Sequence, residues 1–493
     1  MARARSSSRG GTAQRSSRRA VATDVLAWED DPGVPGGPAK PITSAIPDPA
    51  AAKPPIRIGG RAPQAKEYQP GTQGFRYWTA AEALSRGVAF WSSIVPGLKW
   101  QATVGRSLAV GLDEGEDLNA FYNRRSLQFF HASVGGVVVY SGESPDVVCH
   151  ELGHAVLDAV RPELWNAASS EIAAFHESFG DMSAMLSALQ VKSFRDGVIV
   201  ATGGNLTRSS RLSRLAEQLG WAIRQFRPDA VDADCLRNAV NSFFYSEPIR
   251  LPPSAPAASL SSEPHSFSRV FTGGFLHALA GMLSSTGGTS DDLLQVSTAA
   301  AQLLIDGVAA SPVVPSYFSQ VAAHMLEADR ARFNGRYAAA LKAGLVRHGV
   351  LSLQSAVSPP EAVSPPRRLG IAGGGRAGAA AVAALAPIAI SGHRLGLGAD
   401  LVVEAPAEPL RFNVAGAALA VGATAPPSHE QAAASFVEDL FRRGRVDTRA
   451  DAAAAEAVTN AVARKTHALA RRNGSLVLER QIFDCGFDVA VCC

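Results

Sequence analysis

The sequence His150-Glu151-Leu152-Gly153-His154 lies where the chain has its clearest helical pattern. Ser144, Pro145 and Asp146 are typical of the first positions of a helix. Apolar residues then recur at helical spacing as far as Val156. Because residues four apart lie one turn apart on one face of a helix, we expect both imidazoles to project from the same face.

Two imidazoles placed in this way can hold a single zinc ion through their nitrogen atoms. Glu151 would lie beside the metal, where its carboxylate can take a proton from the zinc-bound water and pass it to the leaving amine. His150 and His154 are therefore candidate zinc ligands, and Glu151 is the candidate general base. The alternative is that these residue types coincide on an ordinary amphipathic helix.

A third zinc ligand is expected from the next helix, which contains the sequence Phe175-His176-Glu177-Ser178-Phe179-Gly180-Asp181. Glu177 is the candidate ligand. Asp181 follows four residues later on the same face and is the candidate partner that orients a ligand histidine. Glu163 and Glu171 are rival candidates for the third ligand position.

These two elements resemble those of the gluzincin metallopeptidases, and the sequence around them is similar to the thermolysin-like neutral zinc metallopeptidases over about residues 75 to 330. The segment Asp117-Leu118-Asn119-Ala120-Phe121-Tyr122 resembles the Asn-Ala-Phe segment of that family. The resemblance implies that Asn119 and Ala120 bind the backbone of a peptide substrate. An exposed extended segment there could also pair with a peptide as an added strand.

The segment Glu263-Pro264-His265-Ser266-Phe267-Ser268 is similar to the His-x-x-Ser element of the same family. The resemblance implies that His265 stabilises the tetrahedral oxyanion. Trp165 stands where the family usually has a tyrosine that helps to bind the oxyanion, and its indole N–H can donate a hydrogen bond. The carboxylate that usually orients the second histidine is not at its expected place, although Glu263 is close in sequence.

Other features depart from the secreted members of this family. Residues 182–190 contain no acidic residue, so the structural calcium site of those relatives is not expected. The first twenty residues have no sustained apolar run, and the Ala-rich stretch of residues 377–390 is short and contains Pro387. Neither a signal peptide nor a transmembrane segment is therefore predicted. We expect an atypical, cytoplasmic member of the family.

Proline and glycine cluster along the chain and suggest how its 493 residues are divided. The predicted fold class is α+β, with a thermolysin-like catalytic region in which a mixed sheet and the motif helix precede a helical lobe. The predicted units are a disordered tail over residues 1–70, the sheet-containing half over 71–190, the helical lobe over 191–354, a linker over 355–390 and a small α+β domain over 391–493.

Periodicity and capping signals predict the individual elements. Strands are expected between Leu98 and Leu112 and between Ser126 and Tyr140, with a turn at Gly135-Gly136. The predicted helices outside the motif region run from Thr79 to Trp91, Leu212 to Gln225, Ala233 to Ser246, Ser268 to Ser284, Asp291 to Ala309, Tyr317 to Ala328, Glu430 to Arg443 and Asp451 to Arg472. Strands are expected in the last unit at Asp400 to Glu404, Leu410 to Val414 and Ser475 to Leu478.

Charge and cysteine content restrict the partners. The formal net charge is +3, which gives no indication of nucleic-acid binding. Five cysteines without paired spacing argue against a disulfide framework. Cys149 is predicted to be a small buried residue. Cys485, Cys492 and Cys493 are predicted to lie in a tail with reduced thiols, with metal binding or modification as the alternative.

The sequence thus predicts a zinc-dependent metalloendopeptidase with Zn²⁺ as its cofactor and a peptide or protein as its substrate, with no nucleic-acid or membrane partner. Two alternatives stay open. The first is a zinc-binding scaffold or interaction protein with impaired catalysis, which Trp165 and the surroundings of His265 would permit. The second is a zinc hydrolase that acts on a substrate other than protein.

Overall fold

The computed structural model describes residues 24–352, 385–406, 427–451 and 464–486. These residues form a mixed α+β fold, as predicted. The helices are α1 Gln73–Ile94, α2 Pro145–Val160, α3 Ser170–Ala188, α4 Lys192–Thr202, α5 Glu217–Arg224, α6 Pro264–Ser284, α7 Ser290–Ala310, α8 Tyr317–Phe333, α9 Ala338–Arg347 and α10 His429–Arg442. The strands are β1 Asp24–Ala27, β2 Ile42–Ala45, β3 Ile56–Ile58, β4 Leu108–Gly111, β5 Ala120–Tyr122, β6 Ser126–Phe129, β7 His131–Val134, β8 Val137–Tyr140, β9 Arg214–Leu215, β10 Arg237–Asn238, β11 Leu385–Ile390, β12 Leu401–Pro406, β13 Val446–Asp447, β14 His467–Arg472, β15 Ser475–Arg480 and β16 Phe483–Asp484.

The first large sheet has the strand order β16-β5-β6-β4-β3. Strands β3, β4 and β6 are parallel, whereas β5 runs antiparallel to β6 and β16 runs antiparallel to β5. The predicted hairpin is present as β7 and β8, and its turn residues Gly135 and Gly136 have φ of 56° and 81°. Positive φ costs glycine little, which is why this sequence turns there.

Residues 24–70 are folded against the core, in contrast to the disordered tail predicted for residues 1–70. Val25 and Ile56 are fully buried, and β3 pairs with β4. Asp31 accepts a hydrogen bond from the Ser144 hydroxyl at the start of α2. The prediction failed because this segment adds a few apolar side chains to a core that other residues build, and so needs no core of its own. Residues 1–23 lie outside the described residues.

Helix α2 begins as the sequence predicts. Ser144 is its N-cap and accepts a hydrogen bond from the Val147 N–H at 3.3 Å, with Pro145 in the first turn. It packs closely on α3 because glycine lies at the contact. A Cβ on Gly153 would lie 3.0 Å from the Cα of Gly180. This close approach brings the motif face of α2 next to the face of α3.

Helices α4 to α9 lie within residues 191–354, the range predicted to be helical, with differences in detail. Helices α6, α7 and α8 match the predicted segments. The helix predicted from Ala233 to Ser246 is wrong, because this stretch contains only the short strand β10 and irregular chain. Backbone pairing of β10 with β9 takes the place of helical hydrogen bonds there. Helix α1 begins at Gln73, six residues before the predicted Thr79, and Thr72 is its N-cap.

One described helix, α7, is long and apolar enough to cross a membrane by length and composition alone, and 61% of its most apolar window is buried inside the protein. The buried cores of water-soluble proteins contain helices of the same kind, so this feature is weak evidence for a membrane span.

The C-terminal part builds a second sheet with the order β11-β12-β15-β14-β13. Its apolar core, which includes Leu401, Phe436 and Leu476, also contains Ala173 of α3. Strands β12 and β15 and helix α10 confirm the predictions for those segments. The helix predicted from Asp451 to Arg472 is wrong over residues 467–472, which form β14, because pairing with β15 outweighs local helix propensity. Residues 410–414 lie outside the described residues.

Two predicted boundaries also differ from the structure. Strand β11 lies within residues 385–390, at the end of the predicted linker; residues 355–384 lie outside the described residues. Strand β16 follows β15 of the second sheet along the chain but pairs with β5 at the edge of the first sheet. The last described residues therefore belong to the edge of the catalytic region predicted for residues 71–354, in contrast to the separate C-terminal domain predicted from residue 391.

Candidate metal centre and cleft

The three predicted metal ligands lie together in the structure. Ligand atoms of His150, His154 and Glu177 all lie within 4.8 Å of one another, and the three residues are buried. Glu177 Oε2 is 3.3 Å from His150 Nε2, and Glu177 Oε1 is 3.7 Å from His154 Nε2. Helix α2 supplies both histidines one turn apart, and α3 supplies the carboxylate across the close helix contact.

The absence of hydrogen-bond partners at these atoms also fits a metal site. Within the described residues, His150 Nε2, His154 Nε2 and Glu177 Oε2 have no hydrogen-bond partner although all three are buried. Buried polar atoms without partners are costly and rare in folded proteins. Two imidazole nitrogens and one carboxylate oxygen that converge in this way could hold a divalent metal ion, which would displace any proton on the ligand nitrogens.

Asp181 lies where the sequence predicts, beside a ligand histidine. Its Oδ1 is 3.0 Å from His150 Nδ1, which directs the other ring nitrogen towards Glu177. Arg237 of β10 donates two hydrogen bonds to the same carboxylate, at 2.7 and 3.1 Å. Burial by itself would raise the pKa of Asp181, but Arg237 and His150 outweigh it and hold the pKa below its usual value. Asp181 is therefore an anion that fixes the orientation of His150.

The rival ligands are engaged elsewhere. Glu163 is partly exposed and pairs with Arg161 at 2.5 Å. Glu171 is buried, but its carboxylate accepts hydrogen bonds from the hydroxyl of Tyr245 at 2.9 Å and from the backbone N–H of Phe318 at 2.6 Å. Glu177 is thus the carboxylate that the structure brings to both histidines.

Glu151 lies on the same turn of α2 and is fully buried. Burial raises its pKa to about 8, and the positive charge of His150 opposes that rise. Its Oε1 accepts a hydrogen bond from the Cys485 thiol at 2.7 Å, whereas its Oε2 has no partner among the described residues. A carboxylate so placed can accept and return a proton at the metal position.

Cys485 is therefore not in the reduced-thiol tail predicted for the chain end. The residue is buried, and its Sγ lies within 4.8 Å of ligand atoms of His150 and Glu151. Cys149 is buried as predicted, and its Sγ lies 3.6 Å from the backbone carbonyl of Ala83. Cys492 and Cys493 lie outside the described residues.

His265 lies at the first turn of α6 and faces the cluster. Its Nε2 is 3.2 Å from Glu177 Oε2, and its Nδ1 contacts Glu263 at 2.7 Å. Burial would lower the pKa of His265, but Glu177 and Glu263 raise it to about 10. An imidazolium can donate from both nitrogens, so its Nε2–H donates to the backbone carbonyl of Asp484, 2.5 Å away. Glu263 therefore pairs with His265 and not with the second motif histidine, His154. The Nδ1 atom of His154 has no hydrogen-bond partner among the described residues.

The groove between strand β5 and the metal cluster, called the cleft below, is occupied by β16 of the chain itself, and Asn119 and Ala120 lie at its edge. Strand β16 pairs antiparallel with β5, and the backbone N–H of Cys485 donates to the carbonyl of Ala120 at 3.0 Å. Both side-chain polar atoms of Asn119 lack a partner within the described residues. A Cβ on Gly486 would lie 2.1 Å from Asn119 Oδ1, so any other residue there would displace this amide.

Trp165 lies next to the cleft, but its indole N–H is engaged. It donates to the backbone carbonyl of Arg480 at 3.3 Å, so in this structure it is not directed at an oxyanion. Its ring packs edge-on against Phe483 with centroids 5.3 Å apart. Phe483 in turn stacks on His176 and His154, with centroids 4.0 and 5.0 Å apart. The aromatic pocket beside the metal cluster is therefore filled by a side chain of β16.

Several residues of this site were not predicted from the sequence. Arg237, Phe483 and Cys485 are far from the motif helix along the chain. The bond between Cys485 and Glu151 spans 334 positions, and the pair of Arg237 and Asp181 spans 56. Neither distance corresponds to a helical or strand period, so no local pattern could have indicated these contacts. His176 lies next to Glu177 in the sequence but was assigned no role, and the structure places it buried beside His154.

Comparisons with known proteins do not assign the chain to a family. No protein-family model matches it, and a search of curated proteins found no similar sequence.

Proposed function

We propose that this protein is a zinc-dependent metalloendopeptidase with a thermolysin-like catalytic region. The observation that carries the proposal is the convergence of His150, His154 and Glu177 at one buried point, with Glu151 on the same helix turn as the histidines. A set of two histidines and one glutamate is one of the known ligand sets of catalytic zinc, which uses three protein ligands and leaves one position open.

Zn²⁺, when bound there, would lower the pKa of a coordinated water and polarise the carbonyl of the scissile bond. Glu151 would accept the proton of the attacking water and return it to the leaving amine. The imidazolium of His265 would donate its Nε2–H to the developing oxyanion, as it now donates to a backbone carbonyl. Asp181 and Arg237 would keep His150 oriented.

The choice of a peptide as substrate is supported by strand β5, which would be the edge of the first sheet without β16. It pairs antiparallel with an extended segment of the chain, whose backbone N–H donates to Ala120 and whose carbonyl accepts from His265. An extended peptide would make the same backbone contacts. This edge favours a peptidase over a zinc hydrolase that acts on a substrate other than protein.

The test combines metal content with a digest. Zinc per chain is measured by elemental analysis, and a library of unstructured peptides is incubated with the full-length protein and analysed by mass spectrometry. Because β16 fills the cleft, the parent is compared with the variant Phe483→Ala/Cys485→Ala, in which the segment loses its ring packing and its thiol contact. Each protein is also made with Glu151→Gln.

We expect about one zinc per chain, and cleavage by the double variant that Glu151→Gln lowers at least about 100-fold, the smallest effect typical of a lost general base. Zinc binding without cleavage in either protein would support the scaffold alternative. Cleavage that Glu151→Gln leaves unchanged would contradict the role of Glu151.

A further inference from the structure

The thiol of Cys485 lies beside the candidate metal ligand His150 and the candidate general base Glu151. It is buried, and its Sγ is 2.7 Å from Glu151 Oε1. Sγ, a Glu151 oxygen and a His150 nitrogen form a second group of potential ligands within 4.8 Å, which shares His150 with the first group. The thiol therefore adjoins the predicted metal position as well as the predicted general base.

A second observation points to the same position independently of the cysteine. Among the described residues, His150 Nε2 and Glu151 Oε2 are buried and have no hydrogen-bond partner. The exposed fraction is 3% for His150 and 0% for Glu151. Hydrogen bonding to Cys485 satisfies only one oxygen of Glu151, so a thiol that packs there without a metal ion leaves these atoms without partners.

We propose that the Cys485 thiolate is the fourth protein ligand of the metal held by His150, His154 and Glu177. This inference rests on the proposed function, because both concern the same ion. Thiolate is a good ligand for zinc, and three residues of mixed type plus one cysteine complete a tetrahedral set. On coordination the S–H bond breaks, the sulfur lone pair binds the metal, and the proton is released to solvent.

The neighbours of Cys485 hold it in place like a bound peptide. Asp484 O accepts from His265, and the Asp484 carboxylate is 3.2 Å from Arg464 Nη1 and 3.5 Å from Arg445 Nη1. Burial would raise the pKa of Asp484, but these two arginines outweigh it and lower the pKa. Phe483 fills the aromatic pocket. The segment is thus anchored at the two residues that precede the thiol.

The consequence is a latent state. With Cys485 on the metal, a water has no ligand position, Glu151 has no water to deprotonate, and the backbone edge of β5 is occupied by β16. A substrate can bind only after residues 483–486 leave the cleft.

The test uses the full-length chain with Cys492→Ser and Cys493→Ser, so that these thiols cannot contribute. The metal is removed with a chelator and replaced by Co²⁺, whose thiolate complexes have a strong charge-transfer absorption in the near ultraviolet. The variant is Cys485→Ala, with Cys485→Ser as a second variant closer in size. The matched control is Cys235→Ala, which removes another buried free thiol. Zinc affinity is measured for each protein by competition with a chromophoric chelator.

We expect the charge-transfer band in the parent and in Cys235→Ala, and its loss in both Cys485 variants. We also expect the Cys485 variants to bind Zn²⁺ at least about tenfold more weakly, since even residues that only orient a ligand contribute about 10- to 100-fold to affinity. One bound Co²⁺ without the band in the parent, or a band that survives Cys485→Ala, overturns the proposal. If neither the parent nor Cys485→Ala binds Co²⁺ or Zn²⁺, the metal centre of the proposed function fails as well. A failure of the proposed function can therefore be distinguished from a failure of this inference.

Discussion

Removal of the Arg237 guanidinium tests how the site holds its buried charges. Arg237→Met keeps most of the side-chain volume but leaves the Asp181 carboxylate, 1% exposed, with His150 as its remaining charged partner. Loss of one partner from a buried ion pair costs about 3–5 kcal/mol. Because His150 still donates to Asp181, we expect a loss near the lower limit, about 3 kcal/mol in the free energy of unfolding.

The assay is urea unfolding of the metal-free protein, followed by tryptophan fluorescence. Trp91 is a suitable reporter because it stacks on Phe179 of α3, with centroids 5.0 Å apart. The controls are Asp181→Asn and the double variant Arg237→Met/Asp181→Asn. Since the double variant leaves neither buried charge unpaired, it should be more stable than Arg237→Met alone.

Two results would refute this reasoning. If Arg237→Met lowers the free energy of unfolding by less than about 1 kcal/mol, the pair behaves like an exposed ion pair rather than a buried one. If the losses of the two single variants simply add in the double variant, Arg237 and Asp181 are not coupled, and the support of His150 must come from another source.

Three further predictions concern other parts of the structure. Gly180→Ala should weaken zinc binding and lower the free energy of unfolding by about 1–3 kcal/mol, because its Cβ would lie 2.6 Å from the His150 ring. Chelator competition measures the zinc affinity, and thermal unfolding measures the stability. The control is Gly274→Ala, whose Cβ meets no atom closer than 3.5 Å and which should weaken neither property. Trp91→Phe should lower the free energy of unfolding by about 1–3 kcal/mol, because it removes the hydrogen bond to Ser183 Oγ. Trp78→Phe should lower it less in the same thermal unfolding assay, because the indole N–H of Trp78 has no partner among the described residues. Burial raises the pKa of Glu143 from 4.5 to about 7, so its contribution to stability is present below the unfolded pKa and is lost as the pH rises towards 7. Between pH 5 and pH 8, thermal unfolding should show that the parent loses up to about 3 kcal/mol of stability relative to Glu143→Gln. A stability difference that does not change with pH would contradict this prediction.

The local features of the site follow directly from the sequence. Capping by Ser144 and the four-residue spacing of His150 and His154 are properties of a single helix, and the structure contains both. The same holds for Glu177 and Asp181 on α3. These predictions succeed because helical periodicity and end-capping depend on neighbours within about one turn.

Predictions failed where a segment's conformation depends on a distant partner. Residues 467–472 have the composition of a helix but pair with β15. Residues 24–58 cannot form a core alone but share the core of the first sheet. Composition indicates which conformation an isolated segment favours, whereas contacts with distant residues decide the conformation of both segments in the folded chain.

The motif helix, its two imidazoles, its carboxylate and the mixed α+β class could all be predicted from the residues alone. The folded chain was needed to show which carboxylate meets the histidines, that Arg237 pairs with Asp181, and that Cys485 and Phe483 lie in the cleft. The physical reason is range: a helix is specified by contacts over a few residues, whereas the closing of this cleft depends on strand pairing and charge contacts between segments more than 300 positions apart.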